Sequence, residues 1–354
     1  MSALFQKVVF SFVAVGLGLG ALELSAQGIE SVWPKKPLRP LPAPGEAACM
    51  PDCMPGVASL PAQPTGLPRG IPMTPHGRRA WALPRNTEMV ETHVRVRVNQ
   101  WALRGPDVEP KKPGELRLMT LGDSSVFGFG VEEDAVFGAV SARTLTDLWG
   151  QAVVSINGGT PGYTSIQSLH TLQDVGAQIQ PDLVVIATIW SDLFQTDEPV
   201  ERAGGQRHAM ALYRVGTRVL APFLSAPTVG WTEGDVGAIA QGRTARVGLD
   251  RYRETLELLV REIRAVGAEP VVMVLPAPVD LDQEPVPELI TAYRNALKAV
   301  SEKHGIVLVD GPDVFRRSGA GNAHFFDQVH PSTQGHALLG EALANALRAH
   351  KPSL

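Results

Sequence analysis

The chain has 354 residues, 44% of them in the apolar set AVILMFWYC, and 32 Lys+Arg against 36 Asp+Glu leave a net charge of −4. An apolar share in the ordinary globular range excludes disorder throughout. The weak negative charge and the lack of a long Lys/Arg run argue against a nucleic-acid partner, and no apolar run reaches the ~20 residues of a membrane span, which excludes a multi-span membrane protein.

Lys7 precedes an uncharged stretch from Val8 to Leu22. As a helix it would be about 22 Å long, short of a ~30 Å hydrocarbon core. Residues 1–27 are therefore expected to be an export signal or a short N-terminal membrane anchor. Leu24-Ser25-Ala26 offers Ala at the last position of a cleavage site but Leu where a small residue is wanted, so both forms stay open. Either one places the body outside the cytoplasm: periplasmic, membrane-anchored or secreted. Residues 28–88 read as a tether, because 13 of the 29 prolines fall between Pro34 and Pro84 and such a run favours extended polyproline conformations. Cys49 and Cys53, the only two cysteines, suit a small local clip in that tether.

From residue 89 to 354 the texture is that of a folded domain. Val90, Thr92, Val94, Val96 and Val98 alternate with polar residues, which predicts one half-buried strand. Apolar runs at 116–121, 152–156, 183–189, 270–275 and 306–309 predict five further strands. Helical spacing over 135–148, 164–179, 252–266, 287–303 and 332–349 predicts helices between and after them. The fold class is α/β, a three-layer α/β/α arrangement with a five-stranded, mostly parallel sheet. Ligands in such folds bind beyond the carboxyl ends of the strands.

After the first of these strands comes Gly122-Asp123-Ser124-Ser125, where glycine permits a sharp turn and leaves a serine exposed. As a plain turn, the same residues would make Ser125 a helix cap. A dinucleotide fingerprint would need Gly at Glu133, and no Gly-Lys-Ser/Thr follows, so no nucleotide cofactor is implied. After the second strand comes Asn157-Gly158-Gly159-Thr160-Pro161-Gly162, and after the third Trp190-Ser191-Asp192. Asp327-Gln328-Val329-His330-Pro331 leads into the last helix. A carboxylate three residues before a histidine can accept its Nδ1–H and leave Nε2 as a base. Asp123 and Asp192 are expected to bond backbone N–H groups and hold their loops, and His336 to pack or cap.

These four pieces, in this order, resemble the SGNH/GDSL hydrolase family. The similarity runs from about Asn99 to the end, and the lead-in Asn99-Gln100-Trp101-Ala102-Leu103-Arg104-Gly105-Pro106 is similar to a membrane-anchored or exported bacterial subgroup. The resemblance implies a flavodoxin-like fold and a serine ester hydrolase acting on a lipid or O-acylated glycan ester, with no cofactor and no metal. It implies Ser124 as nucleophile, His330 as base and Asp327 as its orienter, with an oxyanion hole from the N–H groups of Ser124 and Gly159. The family places an Asn where this chain has Ser191, whose hydroxyl has a shorter reach. That departure leaves open a slower hydrolase, a replacement donor, or lost chemistry. Acyl or acetyl transfer, or a non-catalytic glycan-binding or envelope-assembly module, are the alternatives. A metal site at His324, Asp327 and His330 would leave the Gly-Asp-Ser turn unexplained. An insertion at about 195–249 follows the third block, and its apolar residues suit either an acyl pocket or an interface.

Overall fold

The computed structural model describes residues 71, 73–193, 245–281 and 285–352. The expected leader, most of the tether with Cys49 and Cys53, and nearly all of the insertion lie outside the described residues.

The chain enters through two antiparallel ribbons. Strands β1 (Thr74–His76) and β2 (Ala80–Ala82) form the first, and β3 (Thr87–Glu91) and β4 (Val94–Val98) the second. The tether expected as far as residue 88 thus ends earlier. Ile71, Arg79, Ala82 and Leu83 are buried, and Arg79 pairs with Asp174 at 2.9 Å. Prolines alone do not forbid short ribbons that have something to pack on. The single strand expected over 90–98 is a hairpin instead. Glu91 pairs with Val94 across a two-residue turn in which Thr92 takes φ +53°. Alternation survives only in β4, where Val94, Val96 and Val98 are buried and Arg95 and Arg97 exposed.

The central sheet follows: β5 (Leu116–Gly122), β6 (Val153–Gly159), β7 (Leu183–Ala187), β8 (Glu269–Val274) and β9 (Val307–Asp310). All neighbouring pairs are parallel, in the order β6-β5-β7-β8-β9. β5 and β7 are buried along their whole length, as central parallel strands covered on both faces must be. The connection from β5 to β6 runs through α2 (Phe137–Trp149), and that from β6 over β5 to β7 runs through α3 (Ser165–Ile179). These crossovers travel in opposite directions, so right-handedness sends the two helices to opposite faces. α5 (Leu249–Ala265) and α6 (Glu288–His304) continue in the sense of α3, α5 packing beside α3 and α6 beside α5, while α8 (Thr333–Leu347) returns to pack on α2. α7 (Gly311–Ser318) leads out of β9. No helix among the described residues is long and apolar enough to cross a membrane.

Reversal of direction at β5 creates a switch point where the loops after β5 and β7 diverge, the place where such sheets hold ligands. Two short helices sit there, α1 (Ser124–Phe127) after β5 and α4 (Trp190–Leu193) after β7. Gly122 lets the two loops meet: a Cβ there would lie 2.4 Å from the Ala187 carbonyl oxygen and 2.3 Å from Val126 Cγ2. Gly122→Ala is expected to destabilise the domain by about 3 kcal/mol, measured as a lower urea midpoint with an unchanged m-value. An unaltered midpoint would show that the strand ends move apart freely.

Candidate active site

Asp123 starts α1. Its Oδ1 accepts the Ser125 N–H at 2.9 Å, capping the helix, while Oδ2 accepts the Ser191 N–H from the β7 loop at 3.1 Å. The carboxyl is buried, and burial raises its pKa against the pull of those hydrogen bonds and of His330. The cap is therefore Asp123 and not Ser125. Ser125 works at longer range, its Oγ donating to the Val329 carbonyl at 3.0 Å. That bond fastens the Gly-Asp-Ser turn to a loop 204 residues further on. Nothing in the local sequence announces such a role.

The tethered loop carries Asp327 and His330. Asp327 Oδ1 accepts the N–H groups of Val329 and His330, each at 2.9 Å. Its Oδ2 lies 2.6 Å from His330 Nδ1, and His330 Nε2 lies 2.7 Å from Ser124 Oγ. An ionised carboxylate only accepts, so Nδ1 donates and Nε2 is left to accept from the serine hydroxyl. Burial works against charge on both groups, but their mutual attraction and hydrogen bonding prevail. Asp327 is brought down to about 2 and His330 held above its usual 6.5. Phe129, on the loop after α1, stacks on the His330 ring at 4.9 Å and 29°. The structure thus brings Ser124, His330 and Asp327 into one hydrogen-bonded row.

Residues 120–338 match the sequence profile of the GDSL-like lipase/acylhydrolase family. The chain belongs to that family.

It is a carboxylic ester hydrolase on an α/β fold. Solved structures similar to it include an alpha/beta hydrolase enzyme from the metagenome of Lake Arreo, Spain, at 18% identity and a TM-score of 0.44, covering 65% of this chain and 94% of that one. The lipase/acylhydrolase from Enterococcus faecalis is 18% identical with a TM-score of 0.44, over 68% of this chain and 99% of that one. A catalytic mutant of an acetylxylan esterase from Geobacillus stearothermophilus is 21% identical with a TM-score of 0.42, over 66% and 94%. No curated protein matches the chain.

Gly159 does not sit in this GDSL hydrolase as the sequence suggests. Its N–H is spent on Asn157 Oδ1 at 2.9 Å, and a Cβ would fall 2.3 Å from the Phe127 nitrogen. Its smallness serves the close approach of β6 to α1, and no donor is left to aim at a ligand. In the residues that follow, Thr160 N–H bonds the Gly122 carbonyl and Tyr163 N–H the Thr160 carbonyl, while Pro161 has no N–H. Gly162, at φ +77°, is left with an N–H that meets no acceptor among the described residues. Its carbonyl accepts from Arg246 at 3.0 Å, and Trp81 Nε1 donates to the neighbouring Pro161 carbonyl at 3.3 Å. A backbone donor of this kind leaves no side-chain signature, so spacing alone could not choose between the glycines.

Ser191 is fully buried, and its Oγ has no hydrogen-bond partner among the described residues. It bonds neither Ser124 nor His330. As expected, Asp123 and Asp192 both accept backbone N–H groups. Asp192 takes the Ser165 N–H at 3.0 Å and the Ser165 hydroxyl at 2.6 Å, joining the starts of α3 and α4. His336 both packs and caps, stacking on Phe137 at 5.8 Å while Nδ1 accepts the first N–H of α2. Burial drives its pKa down to about 3, so it stays neutral. His324 turns away to Gly321 and the edge of the Phe315 ring. Among the described residues no group of three His, Cys, Asp or Glu is placed to hold a metal ion.

Asp192 also gives a pH signature. Burial lifts its pKa from 3.8 to about 7 despite the Ser165 bonds. The folded state then holds this proton more tightly than the unfolded chain. The stability it contributes is complete below about pH 4 and lost as pH rises through 7, by at most roughly 4 kcal/mol. Asp192→Asn keeps an oxygen for Ser165 and removes the titration. Urea unfolding at pH 4, 5.5 and 7 is expected to show a shallower decline for the variant than for the wild type, and equal slopes would refute the assignment.

Proposed function

We propose that this esterase is a serine acyl- or acetyl-hydrolase that cleaves an O-acylated glycan or lipid ester outside the cytoplasm, with Ser124 as nucleophile, His330 as general base and Asp327 as its orienter. The observation that carries this reading is the 2.7 Å approach of Ser124 Oγ to a His330 Nε2 whose other nitrogen is held 2.6 Å from a carboxylate.

The chemistry follows from that row. His330 takes the Ser124 proton as Oγ attacks the ester carbonyl, and Asp327 balances the imidazolium that forms. The N–H of Ser124 at the start of α1 meets the tetrahedral oxyanion, and in place of Gly159 the Gly162 N–H, without an acceptor among the described residues, is the second backbone donor of this reading. The Ser191 hydroxyl, without a partner among the described residues, stands at the position of the family Asn. Collapse of this adduct breaks the ester C–O bond, and His330 hands its proton to the departing alcohol. Water, deprotonated by the same imidazole, then releases the acid and restores Ser124. Residues 1–27 would export the enzyme or hold it at a membrane surface, with the proline-rich segment as spacer.

A fluorophosphonate probe is expected to label the wild type and not Ser124→Ala, with hydrolysis of short p-nitrophenyl esters falling about 10⁴-fold or more in that variant. The base must be neutral to act and its pKa is raised, so the labelling rate should climb with pH through a midpoint above 6.5. Folded wild-type protein that is never labelled between pH 6 and 9 would overturn the reading. If Ser191 faces the oxyanion, Ser191→Asn raises kcat by about 10-fold or more and Ser191→Ala lowers it; identical kcat values in all three proteins would remove Ser191 from the site.

A further inference from the structure

The β3–β4 hairpin precedes the 120–338 stretch that matches the family profile, yet it bonds the loop whose Phe129 stacks on His330. Glu91, the last residue of β3, is only 1% exposed. A carboxylate so buried costs free energy unless it is given donors. Its Oε2 accepts the Gly130 N–H at 2.7 Å and its Oε1 the Thr92 hydroxyl. Gly130 sits at φ +69° with Phe326 where a side chain would go, so the loop has little latitude there. From the other side Arg104, also buried, donates to the carbonyls of Phe127 and Gly128 at 2.7 Å each and to that of Val131. The short loop between these clamps holds Phe129, whose ring lies 4.9 Å from the His330 imidazole.

We propose that Glu91 is a positioning residue of the hydrolase: by fixing the Gly130 N–H it holds the Phe129 ring against the face of the His330 imidazole, and so governs how readily that imidazole takes the Ser124 proton. The inference rests on the reading of Ser124 and His330 as nucleophile and base. An aromatic face attracts an imidazolium more than a neutral ring, and a covered face keeps the ring from turning away from Ser124. The groups facing His330 are Asp327 on its own loop, Asp123 at the start of α1, Glu91 on β3 and His336 on α8, with Arg104 beside Glu91. Glu91 is thus part of the charge that surrounds the base as well as the anchor of its aromatic cover.

The test is the pH profile of fluorophosphonate labelling, read with thermal melting, on the full chain. Glu91→Ala should slow the plateau labelling rate about tenfold, and Glu91→Gln, which still offers an oxygen to Gly130, should recover it to within about threefold. Phe129→Leu should move the midpoint down by about half a pH unit. A merely structural Glu91 would lower the melting temperature and leave rate and midpoint alone. That pattern in Glu91→Ala and Phe129→Leu would overturn the proposal. Should Glu91→Ala fail to fold, Phe129→Leu decides alone, since it leaves the hairpin intact. Wild-type protein that does not label would instead bring down the nucleophile and base assignment itself.

Discussion

The candidate active site is organised around one buried carboxylate, Asp123. Its two oxygens are divided between the β5 loop, where one caps α1, and the β7 loop, where the other takes the Ser191 N–H. Both donors are buried at the sheet edge, where an unpaired amide would cost about 1–3 kcal/mol. The carboxylate in turn tolerates burial only because these donors converge on it. Once α1 is fixed in this way, Ser124 stands at its first turn and Ser125 reaches Val329. The loop bearing His330 is therefore tied to the Gly-Asp-Ser turn through Ser125 and Val329.

A second set of restraints acts on the far end of α1. A four-residue helix leaves most of its carbonyls unpaired, and here Arg104 and Asn157 supply the donors. Phe127 belongs to a small core shared with Met89, Val94, Val96 and Val98 of the hairpin, whereas Val126 one residue earlier belongs to the main core of the sheet. The turn is thus packed from both sides. The hairpin and its Arg104 are structural parts of the site, joined to the sheet edge through the Arg104–Asn157 bridge. The same logic explains the buried Asp192, which ties α3 to α4 and holds the third loop to the second.

How much of this could be read beforehand depended on the distance over which each residue acts. Strand and helix positions in the sheet follow from apolar runs and helical spacing, which are local signals. Asp327 and His330 are three residues apart and their pairing is nearly local, so the motif is informative by itself. Gly159 misled because a glycine beside a strand end can serve close approach or donation, and the choice is made by Phe127 and Asn157 from elsewhere. In sequence the hairpin looks like one strand because Thr92, which turns the chain, carries no turn signature of its own.

By itself the sequence determined the order and kind of the sheet elements, the Gly-Asp-Ser turn and the Asp-x-x-His loop, because periodicity and short spacings report on backbone geometry within a few residues. Tertiary structure alone decided that Ser125 would hold Val329, that Glu91 and Arg104 would clamp the loop bearing Phe129, and which glycine N–H would be left unpaired. Those outcomes depend on which buried donors and acceptors meet when strands distant in the chain become neighbours, and no local pattern encodes that meeting.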